Sequence, residues 1–397
     1  MSTDFSAKSS ALGYLYQVRY ALYLLLERGE DAEVALETLD DIVFASSGGP
    51  KELLQLKQHQ NAQASLSNAS PDLWKTLRVW SHQVANGAVL LPGFALTLVT
   101  TGLASKGSAA ALLRAQGRDA VSARKLLEEV ATTSENKELK VAFDTFMALS
   151  ATQRSLLVEA ITIIDSSPIV GDVPALIRKR IIYATSAAHL DALYERLEGW
   201  WFAKAVGQLN DSPATPIAHG EVHAKINDIA GQLLSDSLPI DFLSLHPPAG
   251  VNADADERLF VLQLRDLQVN VRRIESAIVD YYRAFEQRSK WVREELLLDE
   301  ELSQYETRLV SEWSKVSLAL QDELPDEEKL EEKLRQCGLR IYRWMELEAK
   351  VPIRARVTEP YVLRGSYHIL ANDNPPRVWW HPTFLDRLQS ILSGKET

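Results

Sequence analysis

Asp41, Gln55 and Lys57 have residue types and a spacing from which metal-assisted phosphodiester chemistry can be built. That chemistry needs a carboxylate to anchor Mg²⁺, a second oxygen ligand close by, and a cation that positions water or stabilises charge on phosphorus. Asp41 stands where one β-type run, "EVALETL" (33–39), turns into the next, "DDIVFAS" (40–46). A "SGGP" turn at 47–50 then leads into "KELLQLKQH" (51–59). On that third run Gln55 and Lys57 are two apart and share one face, with Leu54 and Leu56 on the other. A hairpin would bring the Gln55–Lys57 face to Asp41. Simpler readings stay open: Asp40-Asp41 as a solvated turn, Lys57 as an exposed strand lysine, and His59 as an exposed or structural histidine rather than a phosphate contact.

The elements that must position these residues follow from pattern. Residues 9–28 predict an amphipathic helix with Leu12, Leu15, Val18, Leu22 and Leu25 on one stripe, stopped by Gly29. A second helix is expected from about Asp72 to Asn86, a fourth strand over 94–101, and a helix starting near Lys106. The order α-β-β-β-α-β-α implies a mixed sheet flanked by helices. From about 121 to 238 the pattern is helical only, and 240–257 has linker composition. A long helix follows, with an apolar seam from Phe260 through Leu264, Leu267, Val271, Ile274, Ile278 and Tyr281 to Phe285, as in a helix pair or coiled coil. Two more helices are expected at about 291–318 and 325–349, then an irregular aromatic tail from Val351. The fold class is therefore α+β, mostly α, with domains at 1–118, 119–240 and 258–397.

Composition narrows the function classes. The net charge of −11 argues against a protein that coats nucleic acid, although residues 1–115 are nearly neutral, with about nine basic and ten acidic side chains. The single cysteine, Cys337, excludes an internal disulfide and any cysteine-pair zinc site, and fits a reducing, cytoplasmic setting. No run of about 18 uncharged apolar residues suggests a membrane span. His219 and His223 lack a third ligand, and no glycine-rich phosphate loop is present.

Helix, acid-bearing strand and Gln-x-Lys strand together resemble the PD-(D/E)xK restriction-endonuclease-like superfamily. "ALGYLYQVRYALYLLLE", "ETLDDIVF", "LLQLKQH" and "SPDLWKTLRVW" resemble the nuclease domain of anti-phage effectors, including CD-NTase-associated double-stranded DNA endonucleases. The resemblance implies Asp41 as the metal-binding acid, Lys57 as the catalytic lysine and Gln55 at the usual Glu position. Gln17 would reach in from the first helix, with Glu37 and Asp40 as extra ligands for Mg²⁺ or Mn²⁺. Farther on, "AIVDYYRAFEQRSKWVREELL", "YETRLVSEW" and "PYVLRGSYHILAND…WWHP" resemble a C-terminal domain of effectors in ABC-three-component, Lamassu-like defence systems. That implies an SMC-like ABC ATPase and a small middle component as partners, and a homo-oligomer as the active form. The alternative is a catalytically inactive, nuclease-derived scaffold of the same complex; an RNase or nickase on the same fold is a third reading.

Overall fold

The first helix, α1 (Ala7–Glu27), ends where the sequence predicts, and Val18, Leu22 and Leu25 on its stripe are fully buried. The structure is a computed structural model that describes residues 7–49, 51–59, 65–211, 214–248, 250–324 and 331–387. It divides into two compact units, residues 1–230 and 231–397.

In the N-terminal unit, strands β1 (Glu33–Leu36), β2 (Ile42–Ala45) and β3 (Lys51–Lys57) form an antiparallel meander. A short strand β4 (Ser65–Leu66) precedes helix α2 (Pro71–Ala85), which opens with proline in its first turn. Strand β5 (Phe94–Thr100) then lies parallel to β3, register Gln55↔Leu98 and Lys57↔Thr100, and β6 (Leu103–Ala104) pairs with β4. The mixed sheet is thus present. It extends beyond residue 118: after α3 (Ala109–Leu112), α4 (Ala120–Thr133), α5 (Lys140–Met147) and α6 (Ala151–Ala160), strand β7 (Ile161–Ile164) adds parallel to β5. Helices α7 (Val173–Ile181) and α8 (Leu190–Asn210) lead to β8 (Ile217–Ala218), which pairs with β1, and to α9 (His219–Gln232). The sheet order is β7-β5-β3-β2-β1-β8. The stretch read as helices only therefore supplies both edge strands. β7 escapes a pattern reading because it continues α6 without a turn, and β8 because it is two residues long.

Trp201 in α8 sends its indole N–H to the Val18 carbonyl at 2.7 Å, and Gln208 bonds the backbone of β1 at Val34 and Leu36. The Trp200-Trp201 pair is thus tied into helix packing through its second member.

In the C-terminal unit the long seam helix is two helices, α10 (Leu259–Asp266) and α11 (Val271–Arg293). Gln268 takes a left-handed backbone (φ 58°), and the Asn270 side chain caps α11. Heptad spacing runs through the break because 267–270 keeps its apolar side chains inward. Phe260, Leu264, Leu267, Ile274 and Ile278 are buried within this unit, while Val271 and Phe285 are about half exposed. Helices α12 (Asp299–Asp322) and α13 (Glu331–Leu347) follow. The tail expected to be irregular contains α14 (Pro360–Ala371), and its aromatics form the core: Tyr367, Trp380 and Phe384 are fully buried. Pro360 starts α14, where a missing N–H costs nothing.

The segment of linker composition is also packed. Trp291 and Gln287 of α11 both donate to the Pro239 carbonyl, and Arg283 donates to Leu245. Gly365 sets the approach of α14 to α11, since a Cβ there would run into the Asp280 carbonyl. Gly365→Ala should therefore destabilise this unit by about 1–3 kcal/mol through overpacking. Urea unfolding measures it, and an unchanged midpoint would contradict the close approach.

Candidate active site

Between β1 and β2 the chain makes a tight bend, closed by the Glu37 N–H on the Asp41 carbonyl at 3.1 Å. Glu37 holds a left-handed backbone (φ 50°), uncommon for a residue with a side chain. The bend delivers Asp40 and Asp41 to the start of β2. The register Ile42↔Leu54 then sets Asp41 across from Gln55, as the hairpin reading requires.

The two carboxylates are joined by one amide. Gln55 Nε2 donates to Asp40 Oδ1 at 2.5 Å and to Asp41 Oδ1 at 3.0 Å. The remaining oxygens are also held: the Leu56 N–H donates to Asp41 Oδ2 at 2.7 Å, and the Trp80 indole N–H to Asp40 Oδ2 at 2.7 Å. Gln17 of α1 hydrogen-bonds Asp41, and the Lys57 ammonium is close enough for its charge to act on both Asp41 and Glu37. The structure thus brings Gln17, Glu37, Asp40, Asp41, Gln55 and Lys57 together. Gln55, however, turns its nitrogen toward the acids, while its oxygen accepts from Thr76 at 3.4 Å. His59, from the same strand face, is engaged elsewhere, with Nε2 2.5 Å from Asp72 Oδ2.

Sequence reasoning missed the contribution of α2. Asp72, Thr76, Trp80 and Gln83 recur at helical spacing and bond His59, Gln55, Asp40 and the Leu39 carbonyl in turn. Three polar side chains on one helix face were the available signal, because a polar row beside an apolar one must answer polar groups opposite. Trp80 was legible only as core, although a buried indole N–H normally finds an acceptor.

Electrostatics mark the cluster as short of positive charge. Burial, with added repulsion from Asp41, pushes Asp40 up to about 6 against the opposing bonds from Trp80 and Gln55. Burial raises Asp41 as well, opposed by the Leu56 N–H and Lys57. Glu37, at the more exposed rim, is raised by burial of its carboxyl and by both aspartates. A hard cation suits this donor set of one buried carboxylate (Asp40), one half-buried (Asp41), a third at the rim and an amide oxygen one rotation away. Among the described residues no three His, Cys, Asp or Glu side chains form a ready-made metal group.

Comparison with known proteins speaks to the other unit. Residues 260–388 match C-terminal domain 7 of the ABC-three component (ABC-3C) systems. The ABC-3C match begins in α10 and lies wholly in the C-terminal unit, whereas the acid cluster belongs to the N-terminal one. No curated protein matches the chain. Among solved structures, the Moraxella osloensis Cap4 SAVED/CARF-domain containing receptor is similar at 12% identity, over 70% of this chain and 68% of that one, with a TM-score of 0.35. The Acinetobacter baumannii receptor of the same description is similar at 13% identity over 70% and 69%, TM-score 0.35. Its form with the cyclic trinucleotide 2'3'3'-cAAA gives 13% over 64% and 57%, TM-score 0.33. At these scores the likeness is distant. Among the described residues no helix is long and apolar enough to cross a membrane.

The raised carboxyl has a consequence for stability. Asp40 keeps its proton to about pH 6 when folded but loses it near 3.8 when unfolded. Between those values the native state binds the extra proton, so stability falls as pH rises from about 4 to 6 and levels above. Asp40→Asn should remove about 2 kcal/mol of that pH dependence. Urea unfolding at pH 4.5 and 7.5 measures it; equal pH dependence in both proteins would contradict the assignment.

Proposed function

We propose that the N-terminal unit is a metal-dependent endonuclease for double-stranded DNA. The chain would act as effector of an anti-phage or anti-plasmid system of ABC-3C type. The observation that carries the first half is the meeting of Asp41, Gln55 and Lys57 at one buried acid pair. The match of residues 260–388 supports the second. An SMC-like ABC ATPase and a small middle component would control the effector, and a homo-oligomer would be the active form, since the near-neutral nuclease region holds DNA weakly in single copies.

Asp41 and Asp40, with Glu37 at the rim, are the residues that would hold Mg²⁺ or Mn²⁺. When bound, the ion supplies positive charge against a phosphoryl oxygen and raises the acidity of water. Lys57 brings a fixed ammonium to the charge that grows on phosphorus. Gln17 and Gln55 orient Asp41, and Trp80 holds Asp40 from behind. A second reading, the inactive scaffold, draws on one observation: all four aspartate oxygens already accept a hydrogen bond, two of them from the Gln55 nitrogen.

Two outcomes separate the readings. Asp41→Ala and Lys57→Ala should each slow Mg²⁺-dependent plasmid cleavage by about 100-fold or more while the proteins stay folded. Unchanged rates would remove these residues from the mechanism, and no cleavage by the wild type with its partners would favour the scaffold. Gln55→Glu adds a third carboxylate against the acid pair. It should melt lower than wild type in EDTA and regain more stability than wild type when Mg²⁺ is added. Identical Mg²⁺ gains in the two proteins would count against a cation at this position.

A further inference from the structure

Charge is unevenly spread in this acidic chain. Between Leu53 and Arg118, Lys57, Lys75, Arg78, Lys106, Arg114 and Arg118 stand against a single acid, Asp72. Asp72 is itself bonded to His59, Arg114 to Asp165, and Arg118 to backbone carbonyls. Elsewhere in the N-terminal unit many arginines have acid partners, as in Arg19–Glu198, Arg154–Glu128 and Arg178–Asp191. Lys75, Arg78 and His82 differ. They lie on α2 at positions i, i+3 and i+7, all exposed, and among the described residues none forms an ion pair.

The placement of α2 gives that row a use. One face of the helix bonds into the acid cluster through Thr76 and Trp80. Another is fixed in the core, where the Trp74 ring meets Phe143 edge-on at 4.5 Å. The basic row is the solvent face of the same rigid helix, so whatever it grips is set at a fixed offset from Asp40 and Asp41. It spans about 10 Å at 1.5 Å per residue, enough to face two neighbouring phosphates of a strand that carries one charge per about 3.4 Å of duplex axis.

We infer that the Lys75–Arg78–His82 face of α2 is a phosphate-backbone contact that seats duplex DNA beside the acid cluster. This deepens the endonuclease reading and rests on it. A contact of this kind fixes position and register on the duplex and carries no base sequence information, because it touches phosphate oxygens and not base edges. It also accounts for how a chain of net charge −11 approaches DNA at all: local positive charge acts within a Debye length, about 8 Å at physiological salt, where the distant acids are screened.

The test is binding of a fluorescent 30-base-pair duplex to the full chain in EDTA, by anisotropy across a salt series, with Mg²⁺ cleavage of the same duplex in parallel. Lys75→Ala/Arg78→Ala should make the negative slope of log K against log salt shallower by about 1.8, about 0.9 for each phosphate no longer neutralised, and slow cleavage at limiting DNA. Lys75→Arg should keep the wild-type slope. Wild-type cleavage together with an unchanged slope in a folded double variant would overturn the phosphate contact and leave the endonuclease standing. Binding with the expected change in slope but no cleavage would do the reverse. Absence of binding by the wild type would overturn both.

Discussion

One amide nitrogen, Gln55 Nε2, donates to two carboxylates at once, and the geometry around it is arranged to make that possible. Two neighbouring aspartates that burial and mutual repulsion both discourage from ionising are unstable as a pair unless donors surround them. The β2–β3 register places Gln55 opposite Asp41. Gln17 arrives from α1, Trp80 and Thr76 from α2, and the Leu56 N–H from the strand itself. The sheet and two helices of the N-terminal unit, α1 and α2, therefore converge on one pair of acids.

A glutamine at that point changes the character of the site. A glutamate would add another acid to a cluster in which Asp40, Asp41 and Glu37 are already raised, and would need more positive charge than Lys57 supplies to offset it. Gln55 holds the aspartates through its amide nitrogen, with no added charge of its own. In the orientation observed, the amide nitrogen faces the aspartates and the amide oxygen faces Thr76. The left-handed Glu37 at the rim stores a small backbone strain beside the same cluster.

How far the sequence reveals this depends on the range of the interaction. Alternation along 51–57 and the Gly-rich turn before it are local, so the hairpin, the shared face of Gln55 and Lys57, and the mixed sheet were all readable. Trp80 and Thr76 were not, because their role depends on the parallel β3–β5 pairing that seats α2 over the acids. The donor orientation of Gln55 is likewise a property of the assembled cluster. In the C-terminal unit the Phe260–Phe285 seam was legible as apolar spacing. The break at Gln268 was hidden because a left-handed residue and an asparagine cap can interrupt a helix without disturbing heptad phase. The helix at Pro360–Ala371 was masked by its aromatic, proline-rich surroundings, a composition that reads as irregular until the rings are seen as core.

Uptake of a divalent cation by the acid pair decides between an active nuclease and an inert scaffold. Crystals soaked in Mn²⁺ and measured at the manganese absorption edge answer this by anomalous scattering. A nuclease site should give a peak within coordinating distance of an Asp41 oxygen, with the Gln55 nitrogen turned away from the aspartates. No peak there, with Asp40 and Asp41 still bridged by the Gln55 amide nitrogen, would contradict it.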